Sequence, residues 1–230
     1  MLIGGFQKTS LLDYPEKISA IVFTQGCNFR CPYCHNPELL KNGSNTSEWS
    51  ITSVLDFLKT RVGKLDGVVV TGGEPCLHKD LASFLREIKK LGFLIKLDTN
   101  GSNPDMLESL IKENLVDYIA MDIKAPFKKY KNVAGVDVNV DDIAKSINIV
   151  KSCGIDYEFR TTVLKSLLTV DDFEQIGKEI SRAKRYYLQK FVPSKTLDER
   201  LLKDFSNYSD EEFLSICKLL RLHINFVGVR

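Results

Sequence analysis

Short β-rich apolar runs alternate with longer amphipathic stretches from end to end of this chain. That alternation restricts its fold more than any other feature. Strands are predicted over 18–24, 67–71, 94–99, 118–123, 157–163 and 186–192. Helices are predicted over 53–62, 81–91, 105–113, 142–152 and 171–183, with a last helix over 210–221 before a terminal strand at 225–229. Asn103-Pro104 and Thr169 to Asp172 read as helix starts, and Gly92 and Gly154 as helix stops. Six βα repeats with short connections predict a mainly parallel sheet with helices outside it. Six units are too few for a closed eight-stranded barrel. The expected fold is therefore a partial (βα)6 TIM-like α/β barrel, a single domain over residues 1–230, with its chemistry at the C-terminal strand ends.

Composition narrows the function classes. The chain is 43% hydrophobic and 27% charged, with 32 basic against 30 acidic residues and a net charge of +2. Such a chain buries a core and is not disordered, and it has no global field to hold it on nucleic acid or an acidic membrane. No apolar run approaches the roughly 18–20 residues that cross a bilayer, and residues 1–10 lack a signal-peptide pattern. The expected location is the cytoplasm, with neither nucleic acid nor membrane as partner. In a reducing compartment, clustered cysteines bind metals or catalyse more often than they form disulfides.

Three of the six cysteines cluster. Cys27, Cys31 and Cys34 follow the first strand in a C-x3-C-x2-C loop spanning residues 25–36. Three thiolates on one tight loop can each bind one iron of a cubane and leave the fourth iron open. The competing reading, a zinc knuckle completed by His35 or Cys76, lacks the paired ligand spacing of structural zinc. With the aromatic Tyr33 directly before the third cysteine, the loop resembles that of radical S-adenosylmethionine (SAM) enzymes. The resemblance implies a [4Fe-4S] cluster held by Cys27, Cys31 and Cys34, with SAM chelated at the open iron and split by an electron from the cluster. It implies no catalytic side chain beyond the cluster ligands.

Further strand ends within 71–192 carry matching residues. Gly72-Gly73-Glu74-Pro75 follows the second strand; glycines there allow close backbone approach to a ligand, and the resemblance implies that this motif holds the methionine amino group. Asp98, with Asn100 two residues on, ends the third strand, and Asp122, with Lys124 two residues on, ends the fourth. In activating enzymes of pyruvate formate-lyase, matching aspartates help bind a monovalent cation beside the SAM carboxylate. The resemblance implies that Asp98 and Asp122 do likewise, with Lys124 as a cationic partner. Arg160, on the fifth strand, is expected to face SAM or a substrate backbone, or else to form a rim salt bridge. Tyr33 and Asn36 complete the expected cofactor-binding set. Cys76, Cys153 and Cys217 have no ligand spacing and read as buried hydrophobes. The basic stretch 124–131 reads as a solvated loop.

Cys34-His35-Asn36 resembles the sequence after the third cysteine in glycyl-radical-enzyme activases. Residues 4–15, Gly-Gly-Phe-Gln-Lys-Thr-Ser-Leu-Leu-Asp-Tyr-Pro, resemble the opening of anaerobic ribonucleoside-triphosphate reductase activating proteins, with Glu16 departing from a common glycine. About thirty residues without cysteine separate Cys34 from the second strand, so no extra ferredoxin-like insert is present. The implied function is installation of a glycyl radical on a partner, expected to be the anaerobic ribonucleotide reductase, with flavodoxin or ferredoxin as electron donor. The alternatives are an activase of a pyruvate formate-lyase type enzyme, a small-molecule enzyme such as 7-carboxy-7-deazaguanine synthase, and a non-catalytic metal-binding module.

Overall fold

A computed structural model describes residues 1–40, 48–203 and 205–230. Its sheet has eight strands in chain order. β1 (Ile3–Ser10) runs antiparallel to β2 (Ser19–Thr24). From β2 the sheet continues in parallel through β3 (Gly67–Gly72), β4 (Leu94–Thr99) and β5 (Tyr118–Asp122). β6 (Asp156–Val163), β7 (Tyr186–Lys190) and β8 (Val227–Val229) extend it in the same sense. β1 pairs with β2 and β8 with β7, and the two edges do not meet, so the barrel is partial and mixed.

All six predicted repeat strands form, as does the terminal one. β1 was not expected. Gly4-Gly5 and the exposed Gln7, Lys8 and Thr9 give it neither an apolar run nor a clean alternation. Its pairing is irregular as well, with register shifts after Ile3 and after Gln7, as suits an edge strand.

The helices cover the outside: α1 (Ile51–Lys59), α2 (Leu81–Lys90), α3 (Pro104–Lys112), α4 (Tyr130–Ala134), α5 (Val140–Ser152), α6 (Val170–Glu179) and α7 (Asp210–Leu220). Their starts follow the polar caps. The Asn103 side chain accepts from the Met106 N–H ahead of Pro104, and Thr169 and Asp172 bond reciprocally in a capping box. α4 corrects the expectation of a solvated loop at 124–131. Tyr130 and Val133 are fully buried, and only part of that stretch faces solvent. Among the described residues no helix is long and apolar enough to cross a membrane.

Strand alternation sorts side chains between two interiors. Val68, Val70, Ile95, Leu97, Ile119, Met121 and Phe159 point outward into the main core beneath the helices. The opposite set faces the barrel axis. At its N-terminal end this set is a small apolar plug of Tyr14, Ile21, Val69 and Tyr118. Further along the axis it becomes charged, with Lys96 and Glu158 buried and Asp98, Asp122 and Arg160 nearly so. A charged barrel lumen above an apolar floor places the polar chemistry at the C-terminal strand ends.

Candidate active site

The cysteine loop leaves β2 and folds across the C-terminal rim. The Gly26 N–H donates to the Leu39 carbonyl at 2.7 Å, and the Gly26 carbonyl accepts from the Glu74 N–H at 2.8 Å. Within the loop, Arg30 Nη1 donates to the carbonyls of Cys27 and Phe29 at 2.6 and 2.7 Å. The Arg30 N–H reaches the Ala134 carbonyl at 2.8 Å, so α4 acts as a buttress for the loop. The chain beyond β7 is tied to it as well. The Asp198 N–H donates to the Pro32 carbonyl at 2.9 Å, Lys195 pairs with Glu38 at 2.8 Å, and His35 stacks on Phe191 with ring centroids 5.0 Å apart.

A cavity of about 230 Å³ opens between this loop and the strand ends. Cys27, Cys31, Cys34, Tyr33 and Asn36 line it from the loop side. Gly72, Gly73 and Glu74 line it from β3, Asp98 and Asn100 from β4, Asp122 and Lys124 from β5, and Arg160 from β6. Of the residues expected at the site, Pro75 alone stands outside the lining. It is buried at the start of the 3-10 turn Pro75–Leu77, where its fixed φ suits a first helical position.

The glycine pair makes the junction possible. Gly72 has φ of 115°, a region that side chains rarely adopt, and a Cβ on Gly73 would overlap the Gly26 carbonyl oxygen. Glu74 follows, 1% exposed. Its Oε1 accepts from the Cys76 N–H at 2.9 Å and the Thr99 hydroxyl at 2.7 Å, and its Oε2 from the Asn100 N–H at 2.7 Å. Burial raises the Glu74 carboxyl, although these three donors pull it down.

Around the axis the charged residues pair. Arg160 bridges both aspartates, Nη1 to Asp98 Oδ2 at 3.1 Å and Nε to Asp122 Oδ1 at 2.8 Å. Lys124 Nζ bonds Asp122 Oδ2 at 3.0 Å, and Lys96 bonds Asp98 Oδ1. Burial would raise the Asp122 carboxyl, but Arg160 and Lys124 outweigh it and hold the group at about 2. Asp98 is lowered in the same way by Arg160 and Lys96. The ion pairs of Arg160 lie inside the barrel and not at an exposed rim. Arg160 faces the cavity and is paired at once.

The metal expectations are not met. Among the described residues no group of three or more His, Cys, Asp or Glu side chains is placed to hold a metal ion. Cys27, Cys31 and Cys34 share one cavity wall without forming the expected [4Fe-4S] ligand set. The physical reason lies in the thiols. Burial pushes Cys27 up to about 12 and raises Cys31, so in this arrangement both carry protons that metal binding would have to displace. At Asp98 and Asp122, the expected site of a monovalent cation, each carboxylate oxygen is met by a guanidinium or ammonium nitrogen of the chain itself. For SAM itself the lining is suited: a backbone bare of Cβ at Gly72-Gly73, a buried Tyr33 hydroxyl with no hydrogen-bond partner among the described residues, and the cationic ends of Lys124 and Arg160 on the cavity wall.

Six further residues line the cavity: Phe29, His35, Leu40, Thr71, Thr99 and Thr162. Thr71 and Thr162 share the inward parity of Asp98 and Arg160, which strand alternation could have revealed. Thr99 is found only through its bond to Glu74.

Residues 21–185 of the chain match the Radical SAM superfamily. The chain is 35% identical, over its whole length and 95% of the relative, to a protein of Methanocaldococcus jannaschii described as a glycyl-radical enzyme activating enzyme. It is 28% identical to the 7-carboxy-7-deazaguanine synthase of Aquifex aeolicus, over 89% of this chain and 80% of that one. It is 30% identical to the pyruvate formate-lyase-activating enzyme of Clostridium pasteurianum, over 76% of this chain and 73% of that one. Among solved structures, SuiB of Streptococcus suis bound to S-adenosylmethionine superposes with a TM-score of 0.67 at 14% identity, over 90% of this chain. This chain spans about half (49%) of SuiB, and the likeness is one of fold. With a family match across most of its length and a partial barrel whose strand ends carry the expected lining, the chain belongs to the Radical SAM superfamily.

Proposed function

We propose that this radical SAM enzyme activates a glycyl-radical enzyme. The observation that carries this reading is the similarity over the whole chain to a protein described as such an activating enzyme. SAM, when bound and reduced, supplies the 5′-deoxyadenosyl radical that takes a hydrogen atom from a glycine Cα of the partner. The chain's own residues hold and orient it. Gly72 and Gly73 would let the backbone come close, and Glu74 and the Tyr33 hydroxyl would accept from its polar groups. The positive ends of Arg160 and Lys124 would meet its carboxylate, and Asn36 and Asn100 would offer amides from the cavity wall.

The partner is expected to be of the pyruvate formate-lyase type, because a relative named for that partner aligns over three quarters of this chain (76%). The anaerobic ribonucleotide reductase suggested by residues 4–15 is the second candidate; the relatives named above do not carry that label. A flavodoxin or ferredoxin is the proposed electron donor. The test is electron paramagnetic resonance of anaerobic mixtures of this protein, SAM, dithionite and each candidate partner. A glycyl radical doublet on one partner is expected, with deuterium from α-deuterated glycine appearing in 5′-deoxyadenosine. SAM consumption without any protein radical would instead favour a small-molecule substrate, a reading that the similarity to 7-carboxy-7-deazaguanine synthase keeps open.

A further inference from the structure

Lys96 is 2% exposed, on the inward face of β4, yet it is not part of the cavity lining. Its ammonium reaches Asp98 Oδ1, while Asp98 Oδ2 takes Arg160. Arg160 and Lys124 between them take both oxygens of Asp122. Each of the four oxygens on these two aspartates is therefore met by a cationic nitrogen of the chain itself, two negative charges against three positive. A free cation entering here would have to displace an ammonium or a guanidinium, and would otherwise add a fourth positive charge to a desolvated cluster.

We propose that Lys96 is a built-in counter-ion that takes the place of a free monovalent cation at the Asp98–Asp122 pair, so that this chain binds SAM without K⁺ or Na⁺. Lys96 is a positioning residue. It holds Asp98, and Asp98 with Asp122 fixes the fork of Arg160 at the cavity wall. A tethered ammonium is present at every salt composition and is ordered by folding, whereas a free ion must be recruited from solution. Removing the ammonium leaves one Asp98 oxygen buried without a partner, in a space into which a small desolvated cation can enter.

The inference rests on the reading that the cavity takes SAM, and its test has an arm that does not. The thermal midpoint and the SAM dissociation constant are measured at matched ionic strength with K⁺, Na⁺ or bulky tetramethylammonium as the only monovalent cation. For the natural sequence both quantities are expected to be the same in all three, within about twofold for the dissociation constant. For Lys96→Met, SAM binding is expected to weaken about tenfold in tetramethylammonium and to return in K⁺ or Na⁺, with the thermal midpoint following the same order. A midpoint of the natural sequence that rises specifically with K⁺ or Na⁺ overturns the proposal, as does a Lys96→Met variant indifferent to the cation. If Lys96→Met does not fold, the cation series on the natural sequence decides alone. If SAM binds under no condition, the SAM reading fails, while the thermal midpoints still decide the role of Lys96.

Discussion

Glu74 joins three stretches of chain through one carboxylate: its own 3-10 turn at Cys76, and Thr99 and Asn100 at the end of β4. Replacing it with Ala leaves two buried N–H groups and a hydroxyl without an acceptor. Glu74→Ala is expected to destabilise the fold by about 3 kcal/mol in urea titration, since each buried donor left unpaired is costly. A loss below about 1 kcal/mol would contradict the bonding described here. Asp122 supplies a pH dependence. Its carboxyl falls from the ordinary 3.8 to about 2 on folding, so its contribution is fully present above about pH 4 and disappears as pH falls through 2. That shift corresponds to about 2 kcal/mol of stability, and Asp122→Asn should remove this acid-dependent contribution, seen as a flatter acid limb of the thermal midpoint. At this scale legibility was uneven. Gly73 and Glu74 could be found because they follow the end of a strand, and Arg160 because alternation along its strand turns every second side chain inward. Lys96 could not, because a lysine in mid-strand reads as solvent-facing until the register turns it inward beside Asp98.

Elements were legible wherever local chemistry and periodicity agreed. Thr169 with Asp172 marked the start of α6, and Thr169→Ala should cost about 1 kcal/mol of stability by removal of that cap. The repeat strands were legible because β-branched runs such as Val68-Val69-Val70 end in polar residues. β1 and α4 were not. β1 owes its place to pairing with β2 and not to its own polar sequence, and α4 owes its place to burial of Tyr130 and Val133 and to the bond from Arg30. The contact between the cysteine loop and β3 is testable at this scale. In Gly73→Ala the new methyl group meets the Gly26 carbonyl, and a loss of about 2–4 kcal/mol together with weakened SAM binding is expected. Gly63→Ala is the control. Unlike Gly73, Gly63 has a positive φ, 74°, but nothing stands within 4 Å of a Cβ there, so only the conformational cost of about 1 kcal/mol should appear.

Over the whole molecule, an open mixed barrel keeps an apolar floor at one end and a charged lumen at the other. The cysteine loop lies at the rim of that lumen and is braced by α4 and by the segment after β7. The partial barrel was legible in the count of repeats, while its antiparallel edge and the internal pairing of its charges emerge only from register. The metal ligand set inferred from cysteine spacing shows the limit of motif reading. Spacing states which thiols can meet, whereas the packing of the loop decides how the chain alone arranges them. The central claim is that the cavity at these strand ends is where SAM is held and split. Its most direct measurement is the yield of 5′-deoxyadenosine and methionine from SAM, with anaerobically purified protein and dithionite. Equal amounts of the two products are expected from the natural sequence, with Gly73→Ala forming neither. Product formation undiminished in Gly73→Ala, or absent from the natural sequence, would contradict the account.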